Sequence, residues 1–90
     1  MPHYRIVYSK KAKDNLYSFD VGVALRITKK LEYFIEAPDP LSLAKSLSGN
    51  LDGLYRYRVG DYRIIFSVGK DGSVIILNIL YIAHRKDIYR

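Results

Sequence analysis

Residues 54–66 carry three arginines among aromatic and branched side chains. Side chains alternate between the two faces of a strand, so Arg56 and Arg58 share one face. Gly60-Asp61 is a two-residue connection typical of a tight hairpin, and this turn places Arg58 opposite Arg63. Like charges directly across a ladder are destabilising, whereas guanidinium groups bind phosphate oxygens bidentately. The pattern therefore predicts an anion site on one face of the hairpin.

The opposite face of the same hairpin is apolar and is predicted to pack against helices. It comprises Tyr57, Tyr62, Ile64, Phe66 and Val68. The alternative to an anion site is that acidic residues elsewhere, such as Asp87, neutralise the arginines in salt bridges. The two interpretations differ in whether a carboxylate lies against the guanidinium groups.

The end of the chain forms a second basic cluster. It contains His84, Arg85, Lys86, Tyr89 and Arg90. Metal-independent RNA cleavage needs a base that deprotonates the 2′-hydroxyl, cations that stabilise the phosphate charge, and an acid that protonates the departing 5′-oxygen. Histidine is the conventional base because it titrates near neutrality, whereas tyrosine serves only where positive charge lowers its pKa. The alternatives without chemistry are a solvent-facing His84 and a packed Tyr89.

The formal net charge of the whole chain is +6, and the positive charge is concentrated in its second part. Residues 1–53 hold eight Lys and Arg against six Asp and Glu, whereas residues 54–90 hold seven against three. Such an excess suits a polyanion, an anionic membrane surface or an acidic protein partner, and the alternative is simply a solvated basic surface. The absence of cysteine excludes disulfides and thiolate metal sites.

Length and composition favour one cytoplasmic domain over residues 1–90. Ninety residues are too few for two cores, and 49% hydrophobic residues are typical of a globular chain. Residues 1–5 lack the apolar stretch of a signal peptide. The longest apolar run, residues 74–83, is too short to span a bilayer as a helix.

Two helices are predicted before the hairpin. Ser9 and Asp20 are their N-cap residues, and the second must end near Glu36 because Pro38 disfavours helical geometry at the preceding residue. The inner side of the first helix is expected at Ala12, Leu16 and Phe19. The inner stripe of the second is expected at Val21, Ala24, Leu25, Thr28, Leu31 and Ile35.

Alternating and apolar segments predict four strands, at residues 3–8, 55–59, 62–68 and 73–82. Residues 69–72 are predicted to form the hairpin loop between the last two. The last strand is apolar on both faces, which indicates an interior position in the sheet. The predicted fold class is α+β, with two N-terminal helices packed on one face of a small antiparallel sheet in the order β-α-α-β-β-β.

Residues 54–66 (LYRYRVGDYRIIF), the apolar strand after them and residues 83–90 (AHRKDIYR) resemble the RelE family of the RelE/ParE toxin superfamily. The resemblance covers essentially the whole chain. It implies the toxin of a type II toxin–antitoxin system, an mRNA interferase that enters the ribosomal A site, cleaves mRNA there as an endoribonuclease and inhibits translation. It also implies no metal, no cofactor, and a cognate RelB-like antitoxin that is acidic and partly disordered.

The resemblance implies roles for five residues. Arg63 matches the hairpin arginine that stabilises the transition state. Arg56 and Arg58 match two basic residues that hold the phosphate and assist proton removal. Tyr89 matches the tyrosine that stacks on a base and helps orient or activate the 2′-hydroxyl. Arg85 matches the tail arginine that binds phosphate and protonates the leaving group.

The tail also contributes RNA-binding candidates, Lys86, His84 and Arg90. The sequence departs from the family at Arg56 and Arg58, where lysine is more usual, and a guanidinium is a much weaker proton acceptor than an amine. The tail is shorter than in some relatives, so Lys86 is an alternative to Arg85 in the alignment. His84 remains an alternative base.

Two other functions are consistent with the sequence. One is a ParE-like toxin, which shares the fold and inhibits DNA gyrase without cleaving RNA. The other is a non-catalytic basic module that binds a protein or RNA. Only the nuclease requires Arg58, Arg63, Arg85 and Tyr89 to converge within reach of one phosphate.

Overall fold

The computed structural model describes residues 3–87. Its helices and strands, in chain order, are β1 (His3–Tyr8), α1 (Lys10–Ser18), α2 (Val21–Glu36), β2 (Lys45–Ser46), β3 (Tyr55–Val59), β4 (Tyr62–Asp71) and β5 (Val74–His84). Short 3-10 turns at Pro40–Leu43 and Gly49–Leu51 lie on either side of β2. Within the described part of the chain, no helix is long and apolar enough to cross a membrane.

The five strands form one mixed sheet in the order β1-β5-β4-β3-β2. The predicted α+β class is confirmed, and so is the interior position of β5. The expectation of a wholly antiparallel sheet is wrong for β1, which runs parallel to β5. Along the chain, both helices come between β1 and β2. β2 is the far edge strand of the sheet, and β3, β4 and β5 then follow one another back towards β1. β5 therefore arrives beside β1 in the same direction, which only a long crossover permits.

Both helices begin at the predicted caps. The Ser9 hydroxyl accepts a hydrogen bond from the Ala12 amide at 3.0 Å, and the Asp20 carboxylate accepts one from Gly22 at 3.2 Å. Each cap satisfies an amide that the first helical turn leaves without a partner. α2 ends at Glu36, directly before the residue that precedes Pro38.

The hairpin between β4 and β5 is tighter than predicted. Pairing continues through Gly69 and Lys70 to Asp71, so the loop expected at residues 69–72 is wrong. The turn is instead Gly72-Ser73, and Gly72 takes the left-handed conformation with φ of 60°. Only glycine adopts this conformation without strain, and it therefore marks the true turn.

The core lies between the helices and one face of the sheet. Its centre is a stack of three aromatic rings, in which Tyr57 lies 4.4 Å from Phe34 and 4.6 Å from Phe66 between ring centroids. The predicted apolar face of the hairpin is confirmed for Tyr57, Ile64 and Phe66, which are fully buried. Val68, which is also predicted on this face, is 37% exposed.

A β-bulge changes which residues of β5 face the helices. The pairing of β4 with β5 shifts between Ile65 and Phe66, which leaves Leu80 as the additional residue. Ile79 and Ile82 are consequently both buried, although three positions separate them.

α1 is hydrogen-bonded to this bulge. The Ser9 hydroxyl donates to the Leu80 carbonyl at 2.8 Å, and the Asn15 side-chain oxygen accepts from the Ile82 amide at 2.9 Å. These bonds satisfy backbone groups that the irregular ladder would otherwise leave unpaired. They also fix the end of β5, from which the basic tail begins.

Candidate functional site

The β3–β4 hairpin has the predicted register. Arg58 pairs directly with Arg63, and Arg56 pairs with Ile65. Because Tyr57 on the alternate position is in the core, the three arginines lie on the sheet face opposite the helices. We call these three residues the arginine face.

Arg63 is largely buried, with 8% of its surface exposed. Its Nη1 donates to the carbonyl oxygens of Gly60 at 3.2 Å and Tyr62 at 3.3 Å. Its neighbour on β5 is the small Ala83, which leaves room for a guanidinium beside it. Backbone carbonyls of the turn therefore fix the position of this charged group.

Arg56 and Arg58 have no carboxylate within 4.0 Å among residues 3–87. Asp87, the acid named in the alternative interpretation, makes no such ion pair there. Within the same residues, the Arg56 Nε is buried and has no hydrogen-bond partner. The described structure thus holds positive charge at these two positions without an acid against it.

The tail is attached to the hairpin turn through Asp61. The Arg85 amide donates to the Asp61 carbonyl at 2.7 Å, and the Arg85 Nε lies 3.5 Å from the Asp61 carboxylate. The same turn also holds Arg63 through its carbonyls, so Arg63 and Arg85 share one anchor. Sequence reasoning missed this role of Asp61, since a turn aspartate is ordinarily explained by the turn alone.

His84 faces the helices. It pairs with Tyr62, whose ring lies 5.2 Å from the imidazole in an edge-on contact and 4.9 Å from Phe19. Its Nδ1 accepts a hydrogen bond from the Lys86 amide at 3.2 Å, and its Nε2 lies 4.0 Å from the Asp61 carboxylate. The structure therefore does not bring His84 to the arginine face, and its predicted RNA contact remains a prediction.

Of the remaining tail candidates, only Lys86 lies within the described residues. Lys86 is exposed beyond the end of β5. Tyr89 and Arg90 lie outside the described residues. The structure places Arg56, Arg58 and Arg63 on one sheet face and attaches Arg85 to the turn between their strands. The convergence of Arg85 and Tyr89 with the hairpin arginines, and the catalytic roles of all these residues, remain predictions.

The fold is that of RelE/ParE-superfamily toxins, as solved structures of similar fold indicate. The toxin–antitoxin complex RelBE2 from Mycobacterium tuberculosis matches with a TM-score of 0.72 at 20% identity, covering 94% of this chain and 100% of that chain. The RelE–RelB complex from Pyrococcus horikoshii matches with a TM-score of 0.63 at 28% identity, covering 94% of this chain and 98% of that chain. The RelB–RelE complex from Methanococcus jannaschii matches with a TM-score of 0.55 at 26% identity, covering 92% of this chain and 94% of that chain.

A family model assigns the chain within this class. Residues 6–89 match the family described as the ParE toxin of the type II toxin–antitoxin system parDE. The chain belongs to this family, and it is a type II toxin of the RelE/ParE superfamily. No curated protein sequence matches it.

Proposed function

We propose that this toxin is a ribosome-dependent endoribonuclease that cleaves mRNA in the ribosomal A site. The observation that carries the proposal is the arginine face, where Arg58 lies directly opposite Arg63 and neither Arg56 nor Arg58 has an acid within reach in residues 3–87. A stable fold alone gives no reason to keep such a repulsive pair. A phosphodiester bound between the guanidinium groups turns that repulsion into affinity.

In the proposed reaction the 2′-oxygen attacks the adjacent phosphorus and the bond from phosphorus to the 5′-oxygen breaks. Arg56 and Arg58 hold the phosphate, and Arg63 stabilises the charge that develops on its oxygens. Tyr89 orients or activates the 2′-hydroxyl, whose proton passes to the Tyr89 phenolate oxygen or to water as the 2′-oxygen attacks. The products are a 2′,3′-cyclic phosphate and a free 5′-hydroxyl. Arg85, held at the turn by Asp61, assists proton delivery to the departing 5′-oxygen.

A translation reaction with a defined message, probed by primer extension for cuts, tests this proposal. Wild-type protein is expected to cut within codons, and Arg58→Gln to slow cutting by about 100-fold, because one of the two cations that hold the reacting phosphate is lost. Arg5→Gln is the matched control, since Arg5 is an exposed arginine at the other edge of the sheet. Tyr89→Phe tests the phenol separately. Equal cutting by wild type, Arg58→Gln and Tyr89→Phe would contradict the residue assignment.

A second candidate is a ParE-like inhibitor of DNA gyrase, which the family match favours. This activity does not require the arginine face to engage a phosphodiester. It predicts inhibition of gyrase supercoiling by purified toxin, with intact message in the translation reaction. The two assays run on one preparation separate the candidates.

We also propose that the toxin acts in the cytoplasm and is held inactive by a RelB-like antitoxin encoded beside it. Toxins of similar structure are found in RelE–RelB complexes at 28% and 26% identity. The positive charge of residues 54–90 suits an acidic, partly disordered partner that folds on binding. Co-purification of the toxin with the product of the adjacent gene tests this.

A further inference from the structure

A second basic surface lies beside the arginine face, at the outer edge of β3. β2 covers only the first part of this edge, because its two residues pair with Arg56 and Tyr55. The outer edge of β3, Lys45 of β2 and the C-terminal half of α2 enclose a groove of about 360 Å³. Its charged lining residues are Lys30, Lys45, Arg56 and Arg58, and we call it the edge groove.

The charge of the edge groove is uncompensated within the described residues. None of its four cations has a carboxylate within 4.0 Å there. The Lys30 ammonium instead lies 4.6 Å from the Tyr33 ring centroid and 5.5 Å from that of Phe34, which keeps it at the groove. Four like charges around one concavity repel each other, and an anion in the groove removes that repulsion.

The remaining lining of the groove is apolar. Leu43 is 49% exposed and Phe34 forms part of the wall. Proteins that bind single-stranded nucleic acid combine a basic groove for the phosphates with apolar surfaces for the bases. The lining therefore suits a nucleotide, with its phosphate on the cations and its base or sugar against Leu43.

We propose that the edge groove binds the substrate RNA strand one nucleotide away from the scissile phosphate, with Lys30 and Lys45 as the contacts specific to this subsite. The inference rests on the proposed nuclease function, because Arg56 and Arg58 belong to both surfaces. A strand whose scissile phosphate lies on the arginine face continues past these arginines into the groove. An acidic peptide gives no reason for the groove to adjoin the arginine face, whereas an RNA strand must cross both surfaces. RNA is therefore the ligand that the arrangement favours.

The salt dependence of RNA binding tests the proposal without any cleavage step. The logarithm of the affinity for single-stranded nucleic acid falls with the logarithm of salt concentration, with a slope of roughly 0.7 per phosphate contact. For a fluorescent 12-nucleotide RNA, Lys30→Gln/Lys45→Gln is expected to reduce this slope by about 0.7, because the contact to the one phosphate in the groove is lost. Lys29→Gln/Lys70→Gln removes the same charge from exposed lysines outside the groove, and it is expected to keep the wild-type slope.

Equal slopes for the two double variants would overturn the proposal. The proposal would also be overturned if Lys30→Gln/Lys45→Gln weakened binding only to a polyglutamate peptide, which indicates an acidic protein partner. Weakened binding only to ribosomes without message would overturn it as well, because it indicates ribosomal RNA. The primer-extension assay reports separately on the nuclease. Uncut message together with the reduced slope leaves the groove as an RNA site and removes the nuclease, whereas cut message with an unchanged slope removes only the groove.

Discussion

At the scale of single residues, the direct pairing of Arg58 with Arg63 opposes stability. Arg63 is buried against the turn carbonyls, so its guanidinium position is fixed, whereas Arg58 is exposed. Like charges across a ladder cost a few tenths to about 1 kcal/mol. The fold alone therefore gives no reason to retain Arg58, whereas the proposed function does.

Removing one charge of this pair is expected to stabilise the protein. Arg58→Gln should raise the free energy of unfolding by about 0.2–1 kcal/mol while it lowers cleavage. Urea denaturation of wild type, Arg58→Gln and the control Arg5→Gln measures this. A less stable Arg58→Gln would show that the guanidinium makes a favourable contact in the free protein.

Tyr57 illustrates the opposite case, a polar group that serves the fold. Its ring is in the aromatic stack and its hydroxyl donates to the Pro40 carbonyl at 2.7 Å. Burial, assisted by Tyr4 and Asp39, raises the pKa of Tyr57 to about 12. The hydroxyl thus connects β3 to the turn that precedes β2.

Tyr57→Phe is expected to lower the free energy of unfolding at pH 7 by about 1–3 kcal/mol, because the buried Pro40 carbonyl loses its donor. Wild type should also lose stability from about pH 10 to pH 12, since the unfolded tyrosine ionises near 10 and the folded one near 12. Tyr57→Phe should lose less over this window. Tyr33→Phe, at an exposed tyrosine, is the control. Its free energy of unfolding should follow that of wild type at pH 7 and across the window from about pH 10 to pH 12.

At the scale of elements, the β3–β4 turn organises the site. Its carbonyls hold Arg63, and Asp61 holds the start of the tail. The turn is short, and β3 is paired along its whole length with the first half of β4. Its geometry is therefore transmitted directly to the tail.

Asp61→Asn is expected to loosen the tail with little change in global stability, because exposed ion pairs contribute about 0–1 kcal/mol. Hydrogen exchange should show faster exchange of the amides of residues 85–87. Asp71→Asn, at the other hairpin of β4, removes a comparable exposed pair with Arg5 and should leave these amides unchanged. Unchanged exchange in Asp61→Asn would mean that the backbone bond from Arg85 alone holds the tail.

The elements also show what the sequence can and cannot predict. The caps at Ser9 and Asp20 and the register of Arg58 with Arg63 follow from local chemistry, and the structure confirms them. The inner stripe of α2 is wrong at Val21 and Leu25, which are 74% and 53% exposed. Two apolar rows run along this helix, and periodicity alone does not say which row the sheet covers.

Predictions that depend on distant segments fail more often. The direction of β1 is set by where the chain re-enters the sheet, and the bulge at Leu80 depends on α1. The edge groove likewise cannot be predicted from the sequence, because no local pattern distinguishes Lys30 and Lys45 from other surface lysines. Only the fold places them beside Arg56. Only the sheet brings these distant positions together.

At the scale of the whole molecule, the sheet separates two surfaces of different character. The arginine face lies on the side away from the helices. The helix side carries an apolar groove of about 430 Å³ between α1 and α2, lined in part by Tyr17, Val21 and Leu25. Because they are on opposite sides, occupation of one surface does not sterically exclude a ligand from the other.

The parallel pairing of β1 with β5 has a consequence for nascent chains. β5 connects β1 to the rest of the sheet, yet it is the last strand to leave the ribosome. Until then β1 has no neighbour, and the β3–β4 hairpin lacks the strand that carries Ala83 beside Arg63. The arginine face therefore acquires its final geometry only after all five strands have been translated, which under the proposed function protects the ribosome that synthesises the toxin.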